Sequence, residues 1–123
     1  MANRVIKEEY GNRKEILKFN DFVATVVNVT DVGVAAVEGK KIVKAGTIIG
    51  GKSKPVLLNV GEVVENKNTA LKAEGAEGVL LYDVDVTNGP REGSMILYGY
   101  IDLNKIPEAP VEEVVLPKIT FMK

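Results

Sequence analysis

The sequence predicts a mostly β fold: a small single-domain β-barrel or β-sandwich with one short C-terminal helix and an extended N-terminal arm. Three observations lead there. Val is the commonest residue, 19 of 123, with nine Ile beside it, and such stiff, β-branched side chains suit a pleated strand. Twelve Gly and nine Asn punctuate the apolar runs with turns. The length is that of one ordinary domain, and no internal repeat or low-complexity tract divides it.

Taken in order, residues 1–20 read as the arm and 21–123 as the β domain. The arm sets Arg4, Lys7, Arg13, Lys14 and Lys18 against Glu8, Glu9 and Glu15, a local excess of positive charge. Gly11-Asn12 interrupts any helix there, leaving at most a helical turn over 13–17. Its apolar residues, Val5, Ile6, Tyr10, Ile16, Leu17 and Phe19, are too sparse for a core element. Residues 22–30 form a strand apolar on both faces, hence a central one. Residues 31–39 are a weak strand or a loop. Residues 40–49 read as one bent strand closed by Gly50-Gly51, and 56–60 and 63–64 as short strands around Gly61. The polar stretch 65–78 is expected to loop, with at most one helical turn.

The clearest hairpin joins 78–87 to 94–103. Leu80, Tyr82, Val84 and Val86 share one face of its first strand, opposite Asp83 and Asp85. On the return strand Met95, Leu97, Ile101 and Leu103 oppose Tyr98, Tyr100 and Asp102. The connection over 88–93 is longer than a tight turn and should project. Residues 107–116 are the expected helix: Pro110 suits a first turn, Glu112 and Glu113 its positive end, and Pro117 its stop. Residues 118–122 read as a last strand.

Composition narrows the chemistry. With no Cys and no His, the chain has no disulfide, thiol nucleophile, imidazole base or thiolate metal site. Serine-histidine triads and cysteine proteases are excluded within one chain. An enzyme would have to work with Asp, Glu, Lys, Tyr or Thr alone, and neither an enzyme nor a cofactor is expected. A formal charge of -1 creates no field for nucleic acid. No apolar run approaches the roughly 20 residues that span a bilayer, and the first residues lack an apolar leader core; neither membrane nor export is expected.

Four constellations remain. Asp83 and Asp85 lie about 7 Å apart on one strand face by strand rise, with Asp102 across the hairpin. They suit a hard cation or a carboxylate pair for hydrolysis, or are simply a solvated face. Gly46 to Gly51-Lys52-Ser53 matches the letters of a phosphate-binding G-x-x-x-x-G-K-S loop, but Thr47-Ile48-Ile49 is β-prone and Pro55 stands where a helix should propagate. The expected reading is a strand-to-turn junction. Tyr98 and Tyr100, with Tyr82 nearby, make a stacking platform for bases or sugars, or a subunit contact; the neighbouring aspartates disfavour phosphate. A carrier-domain lysine needs a hairpin tip, whereas the only Met-Lys pair is Met122-Lys123.

Several phrases occur in a familiar order: Phe22-Val23-Ala24-Thr25; Lys44-Ala45-Gly46-Thr47-Ile48-Ile49-Gly50-Gly51; Glu77-Gly78-Val79-Leu80-Leu81-Tyr82-Asp83-Val84-Asp85-Val86-Thr87; Gly99-Tyr100-Ile101-Asp102-Leu103-Asn104-Lys105; and Leu116-Pro117-Lys118-Ile119-Thr120-Phe121. Together they resemble small head-decoration or head-fibre proteins of tailed bacteriophages, over residues 21–121 and without the arm. The resemblance implies a non-enzymatic virion protein, made in the cytoplasm of the bacterial host. It implies binding to the major capsid protein on the capsid exterior as a homotrimer, clamping neighbouring capsomers. Arg4, Arg13, Lys14 and Lys18 are then the expected capsid contacts and Tyr98 and Tyr100 the expected oligomer contacts. Two other functions fit the residues: a sugar- or small-molecule-binding β module using Tyr98, Tyr100 and the aspartates, and a minimal enzyme using Asp83, Asp85 or Asp102.

Overall fold

The computed structural model describes residues 16–18 and 22–122. Eight strands follow in chain order: β1 (Val23–Val29), β2 (Ile42–Val43), β3 (Ile48–Gly51), β4 (Val63–Asn66), β5 (Gly78–Leu80), β6 (Val84–Asp85), β7 (Arg91–Asp102) and β8 (Ile119–Met122). Six belong to one sheet in the order β1-β4-β3-β5-β7-β8, and β1 also pairs with β7. That last pairing closes a ring of five strands. Of the two expected architectures the chain therefore adopts the barrel, in which each of the five strands has a neighbour on either side. β2 and β6 form a separate two-stranded ribbon.

β7 is the longest strand. One flank takes β1, from Val29 opposite Arg91 to Val23 opposite Tyr98. The other takes β5 at Met95 and Ile96, then β8 in parallel from Gly99 to Asp102.

Strand alternation sorts the apolar residues into two layers. Ile49, Leu80 and Met95 face inward with Val27, Val29, Val64, Val84 and Val86 and fill the barrel. Their neighbours Ile48, Val79 and Ile96 face outward, yet are equally buried, against Ile16, Leu81, Ile101 and Ile119. Phe22, Ile106, Val114, Leu116 and Phe121 cover that second layer. β3, β5 and the middle of β7 are thus buried on both faces, which explains their unbroken apolar runs. β1 is paired on both sides only at its end, and Val23 and Val26 are exposed; an apolar outer face did not bring cover over it.

Several expected elements take a different form. No helix forms over 107–116; the chain makes turns there, with the Val114 N–H donating to the Val111 oxygen. A short segment with β-branched Val111, Val114 and Val115 is a poor helix on its own. Asn68 also takes its polar groups, donating through Nδ2 to the Ala109 oxygen and accepting from the Val111 N–H. The bent strand over 40–49 breaks into β2 and β3 at Gly46, whose φ is 91° and where a Cβ would collide with Ile106. Residues 56–58 form a 3-10 turn rather than a strand. The first arm of the hairpin is interrupted after Leu80, and β6 leaves β7 to pair with β2. Tyr82 accordingly packs with the outer layer, away from Leu80, Val84 and Val86.

Residues 16–18 of the arm lie along β7. Leu17 bridges Ile101, the Lys18 N–H donates to the Tyr100 oxygen (2.8 Å), and the Asp102 N–H donates to the Ile16 oxygen (2.7 Å). Ile16 is buried in the outer layer and Leu17 packs against it, so these two of the sparse apolar residues of 1–20 do contribute to a core. The rest of the arm, including the turn expected over 13–17 apart from its last two residues, lies outside the described residues.

Candidate functional site

The three aspartates do not converge. Asp83 lies between β5 and β6, where its Oδ1 accepts from the Ala45 N–H (2.7 Å) and holds the turn before β3. Asp85 Oδ1 accepts from both the N–H and the hydroxyl of Thr87, and the Thr87 Oγ1 accepts in turn from the Lys41 N–H. These bonds, the Thr87 hydroxyl first, hold the Asp85 carboxyl below the usual carboxylate range. Asp102 accepts from the Asn104 N–H and caps the 3-10 turn that follows β7. Asp85 and Asp102 each stabilise a local turn, in the manner typical of Asp, whereas Asp83 braces a turn distant in sequence. Among the described residues, no three acidic groups gather to hold a metal ion.

The glycine-rich phrase resolves as a strand and a loop. Gly50 and Gly51 lie in β3. A Cβ at Gly50 would collide with the Gly75 carbonyl, and one at Gly51 with that of Lys54. Gly50 is where the 67–77 connection crosses over β3, and a side chain there would bar the crossing. No helix follows; Pro55 leads into the 3-10 turn. The N–H groups of Gly51, Lys52, Ser53, Val56 and Leu57 in this loop already have acceptors. Glu77 accepts from Gly51, Val56 and Leu57 at 2.7, 2.9 and 3.0 Å, and Glu62 accepts from Ser53. The protein supplies its own anion where a bound phosphate would be needed.

Two polar residues that carry no motif prove important. Lys67 is 7% exposed, and its amine lies 3.1 Å from a Glu65 carboxylate oxygen. Lys72 approaches that oxygen at 3.6 Å. Asn68, 8% exposed, ties β4 to the C-terminal segment through the two bonds described above. Sequence offers little sign of either, since both sit in a polar stretch that reads as loop.

The surface is less inert than the carboxylates suggest. The loop 52–62 carries Leu57, Leu58 and Val60, and the crossing connection carries Leu71, all exposed; Leu58 is at 82% and Leu71 at 97%. These two segments face each other across a cleft of about 320 Å³ lined by residues 51–55, Lys67, Glu74, Gly75 and Glu77. A second cleft of about 420 Å³ lies between Val34, Lys44, Asn66 and Glu108. Neither is lined by Tyr98, Tyr100 or the three aspartates. Tyr98 is exposed and Tyr100 half-buried on β7, the latter paired with Thr120. Lys18 is exposed beside Tyr100; Arg4, Arg13 and Lys14 lie outside the described residues. Comparison with family models, with curated proteins and with solved structures found no match.

Proposed function

We propose that this chain is a virion structural protein that binds the outer surface of a bacteriophage capsid as a decoration or cement protein, stabilising contacts between capsomers. The observation that carries the reading is the set of exposed leucine and valine side chains on two loops, Leu57, Leu58 and Val60 on 52–62 and Leu71 on 67–77. Large exposed apolar groups gathered on such loops are a liability in a free monomer and an asset at an interface. The phrase-by-phrase resemblance to head-decoration proteins supplies the partner, the major capsid protein, and the homotrimer. The engagement of Asp83, Asp85 and Asp102 in turns supports a binding role over a chemical one.

The mechanism is mass action. A protein that binds the assembled lattice and not its separated subunits stabilises the lattice by its own binding free energy. Three copies joined in one particle convert weak single contacts into a durable clamp. The basic residues Arg4, Arg13, Lys14 and Lys18 would aid encounter with an acidic shell, and Tyr98 and Tyr100 would serve the contact between copies.

The test is co-sedimentation with undecorated heads of the phage that encodes the protein. Saturable binding is expected, with Leu58→Glu together with Val60→Glu weakening it at least tenfold while leaving thermal stability nearly unchanged. Absence of binding at saturating protein, together with a thermal shift on adding sugars or calcium, would favour a ligand-binding module instead.

A further inference from the structure

We infer that the outer edge of β1 is a strand-acceptor site whose occupant is the outer edge of β8 from a second copy of this chain. β1 is laddered to β7 along its whole length. On its other side only Asn28 and Val29 meet β4. The reason is local: ahead of β4 the chain coils through turns, with the Leu58 N–H donating to the Pro55 oxygen and the Glu62 N–H to the Asn59 oxygen. Among the described residues, the outward N–H and C=O groups of 23–27 therefore face no ladder. On this stretch Val23 is 55% and Val26 67% exposed.

Proteins normally blunt such an edge with a charge, a proline or a bulge. Residues 22–30 contain no charged residue and no proline, and the one register shift, at Val23 and Ala24, lies at the strand's end. Among the described residues, the edge is left as an open template.

The same chain carries a matching edge. β8 joins β7 from Ile119 to Met122, and among the described residues no strand pairs with its other side. It too is uncharged from Ile119 to Met122, with Thr120 exposed. The two edges lie on opposite flanks of β7. One copy's β8 can therefore add to the next copy's β1, leaving each pair of copies with one edge of each kind to spare. Such head-to-tail contacts close into a ring when the rotation permits. Backbone hydrogen bonds would supply the affinity, and the exposed valines the register. The inference rests on the reading above only in taking the closed ring to be the homotrimer; the contact itself needs no capsid.

The experiment is light scattering on the purified full chain and two variants, Val26→Lys and Thr120→Lys, each placing a charge on an exposed edge position. The wild type is expected to run as an oligomer and each variant as a monomer. An equimolar mixture of the two variants should give a dimer, because it retains one intact β1 edge and one intact β8 edge. A monomeric wild type, or a Val26→Lys protein that stays oligomeric, overturns the site. A dissociated Val26→Lys protein beside an unaffected Thr120→Lys protein overturns the β8 occupant. Hydrogen exchange on the wild type reads the same contact without substitution. Amides of 23–27 and 119–122 should gain protection as concentration rises, and concentration-independent exchange contradicts the inference. Heads separate the two proposals: a monomer that coats heads sinks this contact alone, and an edge-joined oligomer that ignores heads sinks the decoration reading alone.

Discussion

The barrel wall and the loops around it obey opposite rules. In the wall, Ile49, Val64, Leu80 and Met95 are fully buried and held by packing. In the loops 52–62 and 67–77 Leu57, Leu58, Val60 and Leu71 are outside, and across the loops single polar side chains hold the backbone: Glu77 for 51–57, Asn68 for 109–111 and Asp83 for the turn at Ala45. The difference shows how a small domain can keep a packed body while leaving apolar side chains exposed on its loops. The polar brackets fix the loops, so the exposed leucines need not collapse inward.

This contrast can be broken first at the wall. Leu80→Ala should cost about 2–5 kcal/mol, the range for large-to-small changes in a packed core, read from urea unfolding. Next comes the buried bracket. Asn68→Ala leaves the Ala109 carbonyl and the Val111 N–H without their partner and should cost about 1–3 kcal/mol. Exchange of the 109–114 amides should rise more than that of β7. Equal increases in both would mean that Asn68 supports the barrel itself rather than the segment it ties.

Glu77→Ala removes one carboxylate from three N–H donors in a half-open site. Its expected effect is about 1–2 kcal/mol, with faster exchange at Gly51, Val56 and Leu57 and partial recovery in acetate, which can refill the cradle. No recovery would mean the loop has already rearranged. Asp85→Asn should be smaller still. The Asp85 carboxyl titrates below its ordinary range in the fold, so its contribution is present above the unfolded-state value and fades as pH falls through the folded one. The variant should therefore unfold earlier than wild type at neutral pH and converge with it in strong acid. A gap that widens in acid would reverse the assigned sign.

How much of this was legible in the sequence follows the same division. The wall was readable because alternation and β-branching act locally: β1, β5 and β8 fall within expected strands, while β3 runs on into Gly50-Gly51 and β7 begins at Arg91, inside the expected 88–93 connection, where it pairs with β1. The helix over 107–116 was not, because its capping and proline signals are local, whereas Asn68, which claims its backbone, lies some forty residues away in the chain. The aspartates illustrate a related limit. Strand spacing placed Asp83 and Asp85 on one face, but the break after Leu80 gave each its own turn. Glu77 and Lys67 belong to no motif, since their roles arise only when the 67–77 connection crosses β3.

The most direct test of the central claim, a rigid barrel that grips a shell through its exposed apolar loops, is electron cryomicroscopy of undecorated heads mixed with the protein. The account predicts symmetric added density on the outer surface, with the 52–62 loop turned toward the capsomers. Bare heads at saturating protein, or barrels seated with that loop pointing to solvent, would contradict it.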